Sequence, residues 1–455
     1  MDSKYDKKFF GHPLGLAILF GTEMWERFSY YGMRAILVLY LVSESKGINP
    51  GLGWDNASAL SLYGWYTMLV YLMAIPGGWL ADKVFGAKKS VLIGGILLVA
   101  GHGILSFQQM WAFYTGLLLI VLGVGMLKPN ISTLVGGLYH PSDIRRDKGF
   151  TIFYIGINVG AFLSSLIVGY VGETYGWHAG FGLAAIGMTA GLIMYVLGQK
   201  FLPDVGLVGG KGNKKQKALA DQPLTKVEKD RLIVLFISFL LVIVFWGAFE
   251  QAGGLMNIYT MNKTDRFFFG WEIPTSWFQS LNAFFIITLG TIVSGFWAAR
   301  KLKGKVSSSL FKMIIGLMIM GTGFFFMSAA SVQYEHLGKS AMYWLVLAYL
   351  FHTVGELCLS PVALSYVTKL APAKYASFIM GVYFAMTGLG NKVAGLLGES
   401  AANYGEMAVF TTIAIFCVVL GALVLIVRKK LEVLTHGAED HEHVINDLEL
   451  EAEVV

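Results

Sequence analysis

The chain has 455 residues, of which 55% are hydrophobic and only 14% charged, and its mean hydropathy is +0.61. Soluble domains carry about 25% charged residues, so a soluble globule of this length, and with it an ordinary soluble enzyme, is excluded. The net charge of +6 is informative only through its distribution along the chain. The 55 glycines against 10 prolines suit closely packed membrane helices, where small residues let backbones approach. Cys358 and Cys417 both lie in apolar runs, so no disulfide framework is indicated.

A bilayer core needs about 20 mostly apolar helical residues. Twelve segments meet that need: 13–43, 57–81, 90–107, 111–136, 149–171, 178–200, 232–258, 275–299, 309–330, 341–368, 376–398 and 406–427. The runs are long and continuous rather than alternating over about ten residues, which predicts helices and not a barrel. The first segment starts too late, runs too long and holds too many ionisable residues for a cleaved signal peptide.

Lys and Arg gather in every second connection. They stand at Lys4, Lys7 and Lys8, at Lys83, Lys88 and Lys89, at Arg145, Arg146 and Lys148, and from Lys200 to Arg231. The series continues with Arg300 to Lys305, then Lys369 and Lys374, then Arg428, Lys429 and Lys430. These connections hold 26 of the 35 basic residues, and the opposite ones only Lys46, Lys263, Arg266 and Lys339. The bias predicts cytoplasmic termini. It also removes the case for nucleic-acid binding, because the basic surplus is accounted for by topology.

The longest polar connection, 203–230, divides the chain into six-span halves at 1–202 and 231–430 and reads as a flexible linker by composition. A faint repeat links the halves. Gly78-Trp-Leu-Ala-Asp82-Lys83 follows the second span and Gly295-Phe-Trp-Ala-Ala-Arg300 the eighth. Two such halves with a site between them describe a transporter of the major facilitator type. GGWLADKVFGAKK resembles the signature loop of that superfamily. Residues 431–455 form an acidic tail that reads as solvated.

An ionisable side chain inside a span is expensive and is read first as functional. In the first span Glu23, Glu26, Arg27, Tyr30 and Arg34 stand at i, i+3, i+4, i+7 and i+11, one helical stripe that predicts a polar cavity and not lipid. An ion-pair ladder that only packs helices is the alternative. Lys128 sits in GVGMLKPNIS, where Pro129 frees a backbone carbonyl, or else snorkels to an interface. Glu250 and Glu356 are bracketed by apolar turns, so each must be neutralised by a cation or a proton. His352, one turn before Glu356, and Lys392 read as packing residues rather than ligands.

EMWERFSYYGMR strongly resembles the first-span motif (E-x-x-E-R-F followed by paired tyrosines) of the proton-dependent oligopeptide transporters, bacterial type, within the major facilitator superfamily. The resemblance continues through LKPNIS, FYIGINVGAF, FWGAFEQAGG and GELCLSPVALSYVTKLAP, and so covers nearly the whole chain. It implies an all-α membrane protein of two six-helix bundles. It implies symport of di- and tripeptides with protons by alternating access, in the plasma (inner) membrane, with protons as coupling ion and no cofactor. Position by position, Glu23, Glu26, Arg27 and Glu250 would couple protons. Tyr30, Tyr31, Arg34, Tyr71, Lys128, Tyr154, Asn158, Asn282, Glu356 and Tyr383 would line the peptide pocket. Arg34 and Glu250 would form a gating salt bridge between the halves, Lys128 would pair with the Glu23–Glu26–Arg27 cluster, and Lys128 and Glu356 would also take part in gating.

The residues make chemical sense without the name. A peptide presents one fixed charge at each end, and cations facing carboxylates form a dipolar slot for it. The sequence departs from the family in three places. The linker is too short and polar for the two extra helices that bacterial relatives often carry. Tyr383 stands where the family commonly has tryptophan, and Gly64 where animal relatives place a proton-linked histidine. A carrier of another small anionic or zwitterionic solute and a non-transporting peptide sensor are the competing functions. No nucleophile–base pair, metal-ligand cluster or phosphate loop points to catalysis.

Overall fold

The computed structural model describes residues 8–140, 143, 145–202, 223–372 and 375–439. Most of the 203–230 linker, Lys4, Lys7 and Lys374, and the tail beyond Glu439 lie outside them. The described residues form fourteen α-helices that make twelve spans. In the first half these are α1 (Leu14–Val42), α2 (Asn56–Leu72), α3 (Ala74–Leu80), α4 (Ala87–Leu105), α5 (Met110–Gly137), α6 (Arg146–Tyr175) and α7 (Trp177–Gly198). In the second they are α8 (Lys226–Phe249), α9 (Leu255–Lys263), α10 (Ser280–Leu302), α11 (Ser309–Leu337), α12 (Met342–Leu370), α13 (Ala376–Tyr404) and α14 (Glu406–Val433). Among the described residues, short 3-10 turns and two-residue strand pairs accompany them.

Ten helical stretches are long and apolar enough to cross a membrane by composition alone. α1 and α13 do not qualify. Every 18-residue window of α1 contains at least three of Glu23, Glu26, Arg27 and Arg34, and α13 is diluted by Gly, Ser, Asn and Lys392. Both are nonetheless 29 residues long, about 43 Å at 1.5 Å per residue. Their polarity faces protein, which is where a membrane helix can hold it.

Two spans are broken, and each break has a local cause. The second span divides at Met73 because Pro76 has no N–H to give Leu72 and its ring crowds that carbonyl. A wide turn at Ala81–Phe85 and Gly86 at φ +77° then lead into α4. The seventh span was read as continuous over 232–258. It divides at Glu250–Gly254, where a tight turn over Glu250–Ala252 and Gly254 at φ −106° and ψ −108° interrupt the helix. The break places Glu250 where helical regularity stops.

α8 starts inside the segment read as linker. Thr225 accepts from the Glu228 N–H at 3.2 Å, and the Glu228 carboxylate accepts from the Thr225 N–H at 2.7 Å. This capping box fixes the start of the second half. At the far end Glu439 folds back and accepts from the Ser309 N–H at 3.0 Å, capping α11.

The helix pairings repeat with an offset of six spans. In the first half α4 packs on α5 and α7, α1 on α6, and α2 on α5. In the second, α11 packs on α12 and α14, α8 on α13, and α10 on α12. The two seams between the halves, α2 with α13 and α6 with α10, correspond under the same offset. At the first seam Gly64 meets Gly395 so closely that a Cβ on Gly64 would sit 2.9 Å from the Gly395 Cα. The glycine at position 64 therefore serves close packing, and a histidine has no room there.

Outside the spans, Arg145 donates to Asp143 through its guanidinium at 2.8 Å and its backbone N–H at 2.9 Å, holding that carboxyl down to about 2. Arg145 also donates to the Gly11 carbonyl at 2.9 Å, tying the segment before α1 to the connection before α6.

Candidate functional site

A cavity of about 410 Å³ lies between the halves, within the roughly 300–1,000 Å³ typical of small-molecule sites. α1, α2, α5 and α6 wall it on one side. The seventh span with α10, α12 and α13 walls it on the other. Twelve of the fourteen residues singled out from the sequence line it: Glu23, Arg27, Tyr31, Arg34, Tyr71, Lys128, Tyr154, Asn158, Glu250, Asn282, Glu356 and Tyr383. Glu26 and Tyr30 do not. They are buried in the packing behind α1, at 0% and 3% exposure.

The first-span stripe folds into a compact charged cluster. Arg27 Nε stands 2.9 Å from a Glu23 oxygen and 2.5 Å from a Glu26 oxygen. These are ion pairs by distance without hydrogen-bond alignment, for Glu26 Oε1 and Oε2, Glu23 Oε2 and Arg27 Nε and Nη2 have no hydrogen-bond partner among the described residues. Two buried carboxylates thus share one guanidinium, leaving a net negative charge when both are ionised that the Lys128 ammonium lies near enough to offset. The Tyr30 and Tyr31 rings lie 5.9 Å from the Arg27 guanidinium and supply weaker stabilisation.

Two turns beyond Arg27, Arg34 Nη1 donates to both oxygens of Glu250 at 2.9 and 3.1 Å, joining the two halves. Tyr63, not singled out from the sequence, donates to Glu250 Oε2 at 3.0 Å. Gly253 leaves room for the Tyr63 hydroxyl, since a Cβ there would collide with it. Tyr63 stands 187 residues from Glu250 in an apolar run, so nothing local in the sequence points to their contact.

Lys128 and Glu356, both expected to take part in gating, do not meet each other in this structure. Lys128 stands 4.0 Å above the Tyr71 ring, and Glu356 accepts from Asn282 Nδ2 at 2.7 Å. Pro129 leaves the Gly125 carbonyl without its helical donor, and Gly77 of α3 packs directly against it. Asn130 donates to Met126 O at 2.7 Å. His352 faces away from the cavity onto the Phe324 ring, with centroids 4.4 Å apart. Lys392 pairs with Glu399 at 3.3 Å and stands 4.8 Å above the Trp65 ring. Trp246, Phe249, Gln279, Tyr349 and Thr387, which nothing in the sequence singles out, are among the other residues of the wall.

A set of hydrogen bonds between the halves lies at the end of the spans remote from the basic connections. Glu173 accepts from the Thr275 and Ser276 N–H groups at 2.8 Å each and from the Ser276 hydroxyl at 2.6 Å. Trp277 Nε1 donates to Leu166 O at 2.9 Å, and Asn257 Nδ2 to Ala35 O at 3.0 Å. Toward the basic end, cavity residues Tyr154 and Leu364 are 45% and 42% exposed. The cavity is closed at one end and more open at the other.

A twelve-span protein of two repeated halves, with a charged chamber between them closed at one end, has the architecture of a solute carrier. The chain belongs to the POT family, whose members are transporters: the family's sequence profile matches residues 88–221 and 212–413. It is 38% identical over 478 aligned positions to the "Uncharacterized transporter YclF" of Bacillus subtilis (strain 168), covering 92% of this chain and 94% of that protein. It is 35% identical over 485 positions to the di-/tripeptide transporter of Lactococcus lactis subsp. cremoris, covering 94% of this chain and 97% of that one. A glutamate-to-glutamine mutant of the peptide transporter POT, crystallised in complex with alafosfalin, matches with TM-score 0.86 at 37% identity. That match covers 94% of this chain and 97% of the crystallised one.

Proposed function

We propose that this protein imports di- and tripeptides together with protons by alternating access. Cations from the first half (Arg27, Arg34, Lys128) and carboxylates from the second (Glu250, Glu356) line one chamber, and this observation carries the reading. A short peptide's carboxylate is taken by the cations and its ammonium group by Glu356, while the tyrosines and water accommodate varied side chains. The chamber's size favours two or three residues. The lactococcal relative is a di-/tripeptide transporter by name, which agrees with this assignment.

Protons enter through the Glu23–Glu26–Arg27 cluster. Two carboxylates around one guanidinium hold a proton as readily as a third charge, and protonation frees Arg27 for the peptide carboxylate. Arg34 and Glu250, with Tyr63, close the outer side. Lys128 and Glu356 approach each other when the inner side closes and stand apart while it is open. The division of function follows the halves 1–202 and 231–430, joined by the 203–230 segment, with the 431–455 tail inside. The protein works in the inner (plasma) membrane with both termini in the cytoplasm, an orientation that the 26-to-4 distribution of basic residues supports.

The test is uptake into liposomes under an inward proton gradient, with a panel of dipeptides, tripeptides, amino acids and nitrate. Concentrative uptake of peptides that the other solutes do not inhibit is expected. Binding without concentrative uptake would leave a sensor, and preference for a non-peptide solute would overturn the substrate assignment.

A further inference from the structure

Asn282 of α10 joins two groups of α12 through a single amide nitrogen. Nδ2 donates to Glu356 Oε2 at 2.7 Å and to Thr353 Oγ1 at 3.1 Å. Thr353 is fully buried, and its own hydroxyl donates to Tyr349 O at 2.7 Å. A hydroxyl has one proton to give. With that proton committed to Tyr349, Thr353 Oγ1 can only accept, so whatever faces it from Asn282 must be the NH₂ end.

We infer that Thr353 is a positioning residue, which fixes the Asn282 amide and thereby presents Glu356 to the chamber as an acceptor for the peptide's ammonium group. An amide that turned over would aim Oδ1 at Glu356, and two acceptors would then face each other unless the carboxyl carried a proton. Thr353 prevents that rotation. It does so without touching the chamber, since Asn282 and Glu356 line the cavity and Thr353 does not. The other charged groups of this region are engaged elsewhere: Arg34 and Glu250 with each other and Lys128 on Tyr71. His352 of the same turn is on Phe324.

This inference rests on the peptide reading and deepens it, so the experiment separates the two. Wild type, Thr353→Val and Thr353→Ser are compared in liposomes, with kcat and KM for a free dipeptide and the inhibition constant of its N-acetylated form. Valine keeps the shape and loses the hydroxyl, whereas serine keeps the hydroxyl. The expected result for Thr353→Val is a rise of about fivefold in KM for the free dipeptide, the scale of one net hydrogen bond. The kcat and the N-acetylated inhibition constant should be unchanged, and Thr353→Ser should restore wild-type KM. An unmoved KM in Thr353→Val, equal losses for free and blocked peptides, or a serine variant that folds and fails to restore KM would overturn the positioning role alone. A wild-type protein that neither moves nor binds dipeptide would overturn this inference together with the reading beneath it.

Discussion

Glu26 is the residue whose surroundings ask most of it. It is completely buried, 2.5 Å from Arg27, and neither of its oxygens has an aligned donor. A glutamine there keeps the volume and removes the exchangeable charge. Glu26→Gln should therefore abolish accumulation driven by a pH gradient while sparing peptide counterflow, and full gradient-driven accumulation by that variant would refute the coupling role. Tyr63 offers a milder probe. Tyr63→Phe removes one hydrogen bond from Glu250, and at about 0.5–1.5 kcal/mol per bond the outer closed state should lose up to about tenfold in population. Labelling of cysteines placed in the outer half of the chamber would rise accordingly, and unchanged labelling would show that Arg34 holds Glu250 alone. The charged residues of this site were legible in the sequence because charge inside an apolar run is conspicuous. Tyr63 and Thr353 were not, because an aromatic or a threonine in a membrane helix looks like its neighbours until the partner helix is in place.

At the scale of the element, the twelve spans and their approximate limits could be read from apolar runs, while the two breaks could not. Pro76 and Gly253–Gly254 are visible in the sequence, but Pro129 and Pro361 lie inside helices that continue through them. Whether such a residue ends a helix or is absorbed depends on what packs against the freed carbonyl, which is a tertiary fact. The start of α8 was missed for a simpler reason, since the Thr225–Glu228 box was hidden in a polar stretch read whole as linker. The Gly64–Gly395 crossing makes a prediction at this scale. Gly64→Val would force its Cβ against the Gly395 backbone and should destabilise the protein by about 1–3 kcal/mol, the usual cost of overpacking. Gly295→Ala in α10, where a Cβ meets nothing within 4 Å, should leave stability unchanged. Thermal unfolding in detergent reports both, and equal melting temperatures for the two variants would contradict the packing account.

For the whole molecule, the six-span offset in pairing makes the seams α2–α13 and α6–α10 counterparts, yet they are built differently. The first is lined by small residues in close backbone contact. The second is fastened by Glu173, Trp277 and their partners at the end remote from the basic connections. Glu173→Ala removes three hydrogen bonds that span the halves and should shift the population toward the outward-open state. Spin labels on the outer ends of α6 and α10 would then report a longer distance by pulsed electron resonance, and an unaltered distribution would show that the Arg34–Glu250 pair suffices to keep that side shut.

The glycine crossing at α2 and α13 has a mechanical consequence. Where Gly64 and Gly395 touch, the two backbones can roll on each other as a bearing, because at that point no side chain has to climb out of a hole when the angle changes. The resistance to the transport stroke is then concentrated at the distant rim, in a few polar fasteners far from the fulcrum, where small forces act through a long lever arm.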